Sequence, residues 1–560
     1  MKKLIISFFV CLNLGLGVTK AQVPALVKDI KPGSHSGSFP TRLTDVNGTL
    51  FFVADDDVHG NELWKSDGTE TGTVMVKDIL PPDSYATYDY LTDVAGTLFF
   101  TVDDGIHGKE LWKSDGTEAG TLMVKDINPN TYNPNPPGNF IVIGNTLYFT
   151  ANDGTHGNEL WKSDGTAAGT TMVVDLYPGP YSGFYGGGYD YESREQTSLY
   201  LANLNGTLYF LADNGNNLRG LWKSDGTAVG TTFVKGIEDY GAYLSGTNDA
   251  LYFIGGDFGQ TFGGELWKSD GTTAGTAMIK DINQGTGSSK STSHNYAGGS
   301  LRVFAVGNTV YFAADSDGDS KEELWKTDGT EAGTVLVKNI NSGYPILYCT
   351  NIDNTLFFAA FDGSDNYGYE LWKSDGTETG TVMVKDIYPG TSSSSPRFLV
   401  NYNGLLYFNA FNNEKGYGQT LWESDGTEAG TVAFTPYNNF TGARDLTISN
   451  GRLYFVGDAK DDSGTYTGSE LYYLDLTSLI NGVSDITKNV TLNIYPNPTN
   501  SVLNVEAKEN TNITIVNMLG AAVVTQKLSE GNNSINVSDL TNGVYFISND
   551  KGGVAKFVKE

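Results

Sequence analysis

Near-copies of one phrase divide this chain and limit what it can fold into. HGNELWKSDGTETGTVMVKDI (residues 59–79) returns as HGKELWKSDGTEAGTLMVKDI (residues 107–127), and every tryptophan falls in such a copy: Trp64, Trp112, Trp161, Trp222, Trp267, Trp325, Trp372 and Trp422. The intervals run from 45 to 61 residues. A period near 50 suits a propeller blade of four short strands.

Each unit resolves into four strand-like pieces, in the first unit RLTDV, TLFFVA, ELWKS and TVMVKDI. A two-residue hairpin signal joins the first two pieces at Asn47-Gly48. Equivalent pairs stand at Ala95-Gly96, Gly144-Asn145, Asn205-Gly206, Asn248-Asp249, Gly307-Asn308, Asp353-Asn354, Asn403-Gly404 and Asn450-Gly451. The ninth unit ends at ELYYL (residues 470–474) without a VKDI piece, while a lone ALVKDI (residues 25–30) precedes the first. A strand missing at one end and surplus at the other is what a ring of sheets uses to hide its edges. The expectation is an all-β chain: one closed propeller of about nine four-stranded blades, with eight as the alternative, closed by the N-terminal strand.

The shared phrase reads as construction rather than chemistry. Asp67 can accept hydrogen bonds from the following N–H groups, Gly68 permits positive φ, and Thr69 adds a second local bond. Trp64 is a wedge between neighbouring sheets. Asp115, Asp164, Asp225, Asp270, Asp328, Asp375 and Asp425 repeat the turn on separate blades, too dispersed to act as a general acid and base. His59, His107 and His156 share one turn position and are dispersed in the same way. No catalytic residue is assigned.

These units resemble the ELWxxDGT repeat of secreted bacterial proteins over about residues 25–476, with departures at GLWKSDGT (residues 220–227) and TLWESDGT (residues 420–427). The resemblance supplies no activity. After a linker at 477–489, residues 490–560 hold about seven short alternating strands, enough for a small immunoglobulin-like β-sandwich. Tyr495-Pro496-Asn497-Pro498, Gly520, Gly543, Tyr545 and the basic end Lys556 and Lys559 resemble the type A C-terminal sorting domain of the type IX secretion system of Bacteroidota. That resemblance implies Sec export, passage across the outer membrane, and release or surface attachment, with the secretion machinery as a partner.

Residues 1–21, with Lys2 and Lys3 before an apolar run and small residues around Ala21, read as a secretory signal peptide. No other segment is apolar for about 20 residues, so no transmembrane span is expected. Removing Lys2, Lys3 and Lys20 takes the formal net charge from −29 to −32. Such a surface repels nucleic acid and anionic lipid. Cys11 lies in the signal, leaving Cys349 alone and no intramolecular disulfide.

Ligand candidates lie in the links between units, because variable loops on a rigid scaffold are where binding concentrates. The longest holds Tyr181, Phe184, Tyr185, Tyr189 and Tyr191, whose rings could meet sugar faces or peptide; the bland alternative is a self-packed Gly/Tyr loop. Asp315, Asp317 and Asp319 alternate like the start of a calcium loop, but Lys326 stands where the bidentate Glu belongs, so a solvated acidic turn competes with calcium. No cofactor is otherwise expected. Three functions stay open: a non-enzymatic glycan- or protein-binding surface protein, a polysaccharide hydrolase or lyase needing two groups about 5–10 Å apart, and a structural coat component.

Overall fold

The computed structural model describes residues 24–559 except 34–36, 81–86, 131–132, 134, 185–200, 217–218, 239–243, 248, 258–260, 290–302, 320, 343–345, 363–366, 413–418, 435–439, 461–465, 478–491, 518–521, 541–542 and 550–553. The chain divides into two compact units, residues 1–474 and 475–560. The signal-peptide expectation therefore lies outside the described residues.

The first unit is built from four-stranded antiparallel sheets resembling propeller blades. In the first sheet Thr41–Val46, Thr49–Asp55, Asn61–Ser66 and Val74–Lys77 lie side by side in chain order. Among the described residues this order recurs through eight sheets, ending with Arg397–Tyr402, Leu405–Phe411, Gln419–Ser424 and Val432–Ala433. A ninth sheet takes Phe440–Ser449, Arg452–Lys460 and Tyr466–Asp475 from one end of the unit and Ala25–Lys28 from the other. Ala25 pairs with Tyr473 and Leu26 with Tyr472.

Local chemistry explains each element. The second strand of each unit is a continuous apolar run, buried on both faces in Thr49–Asp55 because a neighbouring sheet covers each side. At Asn47-Gly48 both central residues have positive φ, 51° and 81°, the hairpin geometry whose twist matches the strands it joins. Trp64 packs with Leu50 and Phe52 of its own sheet and Val27, Ile30 and Leu471 of the ninth. Trp112 does the same between the first and second sheets.

Cations of one sheet reach backbone carbonyls of a neighbouring sheet. Lys28 Nζ donates to the Thr73 carbonyl at 2.8 Å, Lys77 to Thr121 and Lys125 to Thr170 at the same distance. Sheet three carries Val174 at this position, and Lys162 instead reaches the Gly226 carbonyl at 2.8 Å. Lys223, Lys280, Lys338 and Lys385 continue the series to Gly271, Thr334, Thr381 and Thr431. The ninth sheet has Tyr473 where the ELWK lysine would be, and Arg452 Nη1 donates to the Asp67 carbonyl at 2.6 Å.

The second unit pairs a three-stranded sheet (Asn493–Tyr495, Val502–Ala507, Gly531–Asn536) with a four-stranded one (Ala522–Leu528, Thr511–Asn517, Gly543–Asn549, Val554–Lys559). Leu503, Val505, Ile513, Ile515, Ile547 and Phe557 form their common core.

Leu471 is fully buried between the two chain ends. Leu471→Ala is expected to lower the unfolding free energy by about 2–5 kcal/mol, read as a lower urea midpoint of the whole first unit.

Candidate functional site

Two ends of each sheet differ in chemistry. At one end lie the SDGT hairpins, which satisfy themselves. Thr69 N–H and the Thr69 hydroxyl both donate to Asp67 Oδ1, at 2.8 and 2.7 Å, Gly68 has φ 85°, and Gly72 N–H donates to the Thr69 hydroxyl at 2.9 Å. These bonds, the hydroxyl's foremost, hold the exposed Asp67 carboxyl below its ordinary value. The same threonine N–H bond recurs at Asp115, Asp164, Asp225, Asp270, Asp328, Asp375 and Asp425.

At the other end, the turn between strands two and three meets the link that leaves strand four. The Glu of ELW controls this junction, a role the sequence reading missed. Glu62 is fully buried and accepts from Ile79 N–H at 3.0 Å, Leu80 N–H at 2.9 Å and the Tyr88 hydroxyl at 2.6 Å, all in the link to the second sheet. Glu110 holds Ile127 and Asn128; Glu159 holds Leu176 and Gly183; Glu265 holds Ile282 and Ser289; Glu370 holds Ile387 and Ser394. Glu470 of the ninth sheet holds Ile30 at 3.3 Å and Ser38 at 2.9 Å, across the two ends of the unit. Burial pushes Glu62, Glu110, Glu370 and Glu470 up to about 7, Glu159 to about 8 and Glu265 to about 6, against the lowering effect of the N–H donors. The available signal was an acid recurring directly before the buried Leu-Trp pair of the third strand.

In the first three sheets the adjoining turn carries an Asp–His pair. His59 Nδ1 lies 2.8 Å from Asp56, His107 Nδ1 2.8 Å from Asp104 and His156 Nδ1 2.7 Å from Asp153. The bond to its aspartate raises each imidazole's pKa. In the sixth sheet the turn holds Asp315, Asp317 and Asp319, each offering a carboxylate oxygen within 4.8 Å of the others. Asp315 is buried and the other two are exposed. Calcium takes 6–8 oxygens, so this trio fits part of a shell; Gly318 N–H already donates to Asp315 at 2.7 Å and Lys321 Nζ lies 3.2 Å from Asp319.

The aromatic link divides. Tyr181 is 58% exposed, with its ring 4.9 Å from that of Tyr177, near-parallel. Phe184 corrects the expectation of a ligand-facing ring: it is 2% exposed and packs 5.4 Å from Phe210 in the core between sheets three and four. Its N–H donates to the Asn158 carbonyl, so the chain is drawn inward there. Tyr185, Tyr189 and Tyr191 lie outside the described residues.

In the second unit Asn497 is the working residue of the YPNP motif. Its Nδ2 donates to the Lys556 carbonyl at 2.8 Å and its Oδ1 accepts from Val558 N–H at 2.9 Å, fixing the last strand. Tyr545 stacks on Phe557 at 5.6 Å. Tyr495, Pro496 and Pro498 flank Asn497, Gly543 opens its strand, Lys559 closes the last one, and Gly520 lies outside the described residues.

Residues 493–560 match the family described as the secretion system C-terminal sorting domain. That tail marks the protein for type IX secretion and surface attachment, and implies interaction with that machinery. No curated protein matches the sequence. Among solved structures, the chain is similar to PorZ, a surface component of the type IX secretion system of Porphyromonas gingivalis, at 9% identity and TM-score 0.25, covering 93% of this chain and 86% of that one. It is also similar to a prolyl endopeptidase at 10% identity and TM-score 0.36, covering 77% of this chain and 55% of that one. No helix among the described residues is long and apolar enough to cross a membrane.

Two outcomes follow. The unfolded chain loses the six glutamate protons near the ordinary value of 4.5, whereas the folded chain keeps them to about 6–8. Their contribution is therefore complete below 4.5 and is lost as pH rises to about 8, and the raised histidines add a loss in the same direction. The urea midpoint should be higher at pH 5.5 than at pH 8, with a smaller difference in Glu62→Gln. Separately, Asn497→Ala should leave the full-length protein in the periplasm, read by cell fractionation against wild type at the surface.

Proposed function

We propose that the nine sheets form one closed β-propeller, exported after loss of residues 1–21, whose link-bearing face binds a glycan or a surface protein without catalysis. On this reading the propeller spans 22–476, a linker 477–489 and the sorting domain 490–560. Ring closure is supported by the pairing of Ala25–Lys28 with Tyr466–Asp475 and by the bonds of Lys28 and Arg452 to the first sheet.

The binding reading rests on one observation. The hairpin end of eight of the nine blades repeats one self-satisfied turn, whereas the links at the other end differ in length and chemistry from blade to blade. A constant frame with one variable face is the arrangement of a binding scaffold. The exposed Tyr181 is the described anchor of the aromatic link, and Tyr185, Tyr189 and Tyr191, outside the described residues, are proposed as further ligand contacts on residue type alone. Asp315, Asp317 and Asp319 are proposed to take calcium as a local stiffener of the sixth blade's turn, the ion adding to Lys321 as counter-charge for three carboxylates this close.

A glycan array with the full-length exported protein should give discrete binding that falls at least about tenfold in a Tyr181→Ala/Tyr185→Ala/Tyr189→Ala variant. EDTA should lower the thermal midpoint of wild type and leave Asp317→Asn unchanged. Undiminished binding by the triple variant would remove the aromatic link from the site, and depolymerisation of any bound polysaccharide would overturn the non-enzymatic reading.

A further inference from the structure

The innermost strands carry a feature that the shared phrase does not. In six of them the backbone enters the left-handed region without glycine, near the strand start at Arg42 (φ 61°), Tyr90 (57°), Asn139 (54°), Tyr348 (53°) and Phe398 (54°) and mid-strand at Asp445 (54°). Each sits at a register shift in its ladder, for example between Thr41 and Thr44 and between Arg397 and Val400. For bulky residues this conformation is strained and persists only where the surroundings impose it. The backbone is alike in all six while five different residue types occupy it, the reverse of the SDGT hairpins.

At three of the six the bulge brings the side chain against the first residue of the next sheet's inner strand, whereas Asn139 donates to Thr150 of its own sheet. Arg42 Nη2 donates to Asp89 Oδ1 at 2.7 Å, and Lys109 bonds the same carboxylate. Tyr90 lies so close over Gly138 that a Cβ there would come within 3.1 Å of its ring. Tyr348 lies under Arg397, with the guanidinium 5.8 Å from the ring centroid. At the seventh-to-eighth junction Tyr348 stands at the place of Arg42 and Arg397 at the place of Asp89, so the cation is on the following sheet. Arg42 has its carboxylate; Arg397 has none among the described residues, and its buried Nε has no hydrogen-bond partner.

Arginine is scarce here, and its placement is uneven. The chain has seven, against 65 acidic residues. Arg42 and Arg397 stand at the starts of their inner strands and Arg444 is the fifth residue of Phe440–Ser449, while the lysines of the repeats are spent on seam carbonyls. In so acidic a protein, a half-buried guanidinium without a carboxylate is a site whose counter-charge comes from outside. A planar guanidinium matches a carboxylate with two parallel bonds, and the half-buried Phe398 beside it offers an apolar face to a ring.

We propose that Arg397, backed by Tyr348 and flanked by Phe398, binds the carboxylate of an acidic sugar, making carboxylated glycan the ligand class of this face; the inference rests on the binding function proposed above. Isothermal titration of the full-length exported protein with a galacturonic acid oligomer, its methyl ester and a neutral oligomer of equal length tests it. The acid form should bind, the ester and neutral forms at least about tenfold more weakly. Arg397→Met should remove that preference without lowering the thermal midpoint, Arg397→Lys should restore part of it, and Tyr181→Ala should keep it. Equal binding of acid and ester, or an unchanged preference in Arg397→Met, overturns the site while leaving glycan binding intact. Absence of binding by all three oligomers overturns both this site and the glycan reading it rests on.

Discussion

A buried carboxylate that accepts the N–H groups of a passing chain is the constraint on which the first unit depends. Each link between sheets must cross an apolar seam, where an unpaired backbone N–H costs as much as a lost hydrogen bond. One glutamate solves this for two or three donors at once, as Glu159 does for Leu176, Tyr177 and Gly183. Because the bonds run to backbone groups, the link's side chains stay free to vary. The exceptions have a physical reason in the fourth sheet: Gly220 pairs with Gly236 in an extended ladder, and a Cβ at Gly220 would lie 2.1 Å from the Lys235 carbonyl oxygen. A glutamate cannot stand there, and the ladder takes over the donors.

Much of this architecture was legible in the sequence because repetition amplifies weak signals. A single TLFF run or Asn-Gly pair says little, but nine in step give strand order and the displaced ALVKDI. Side-chain roles were less legible. Glu62 reads as a surface acid by type, and only its partners, Ile79 and Leu80, reveal the latch. The inner-strand bulges leave no trace, because Arg42, Tyr90 and Phe398 are poor candidates for positive φ and no glycine announces the turn. Phe184 reads with the exposed tyrosines by composition, yet it directly follows the latched Gly183 and packs into the core between sheets three and four.

The tail follows a different logic. Its motif residues are spread over the sequence but meet at one place, since Asn497 near the start of the unit holds the strand that ends it. The frame that carries the variable face and the segment that directs export are thus separate compact units, with no side chain required to serve both.

The seam bonds have a direction. A lysine or arginine always belongs to the preceding sheet and the carbonyl to the following one, from Lys28 to Thr73 through Lys385 to Thr431. Because the acceptor is backbone, any unit with a compatible hairpin can follow any other, and identity at the joint is unnecessary. A gene encoding such a chain can therefore gain, lose or shuffle whole cassettes by recombination without redesigning a neighbour, so the number of units is free to drift faster than the chemistry of their joints.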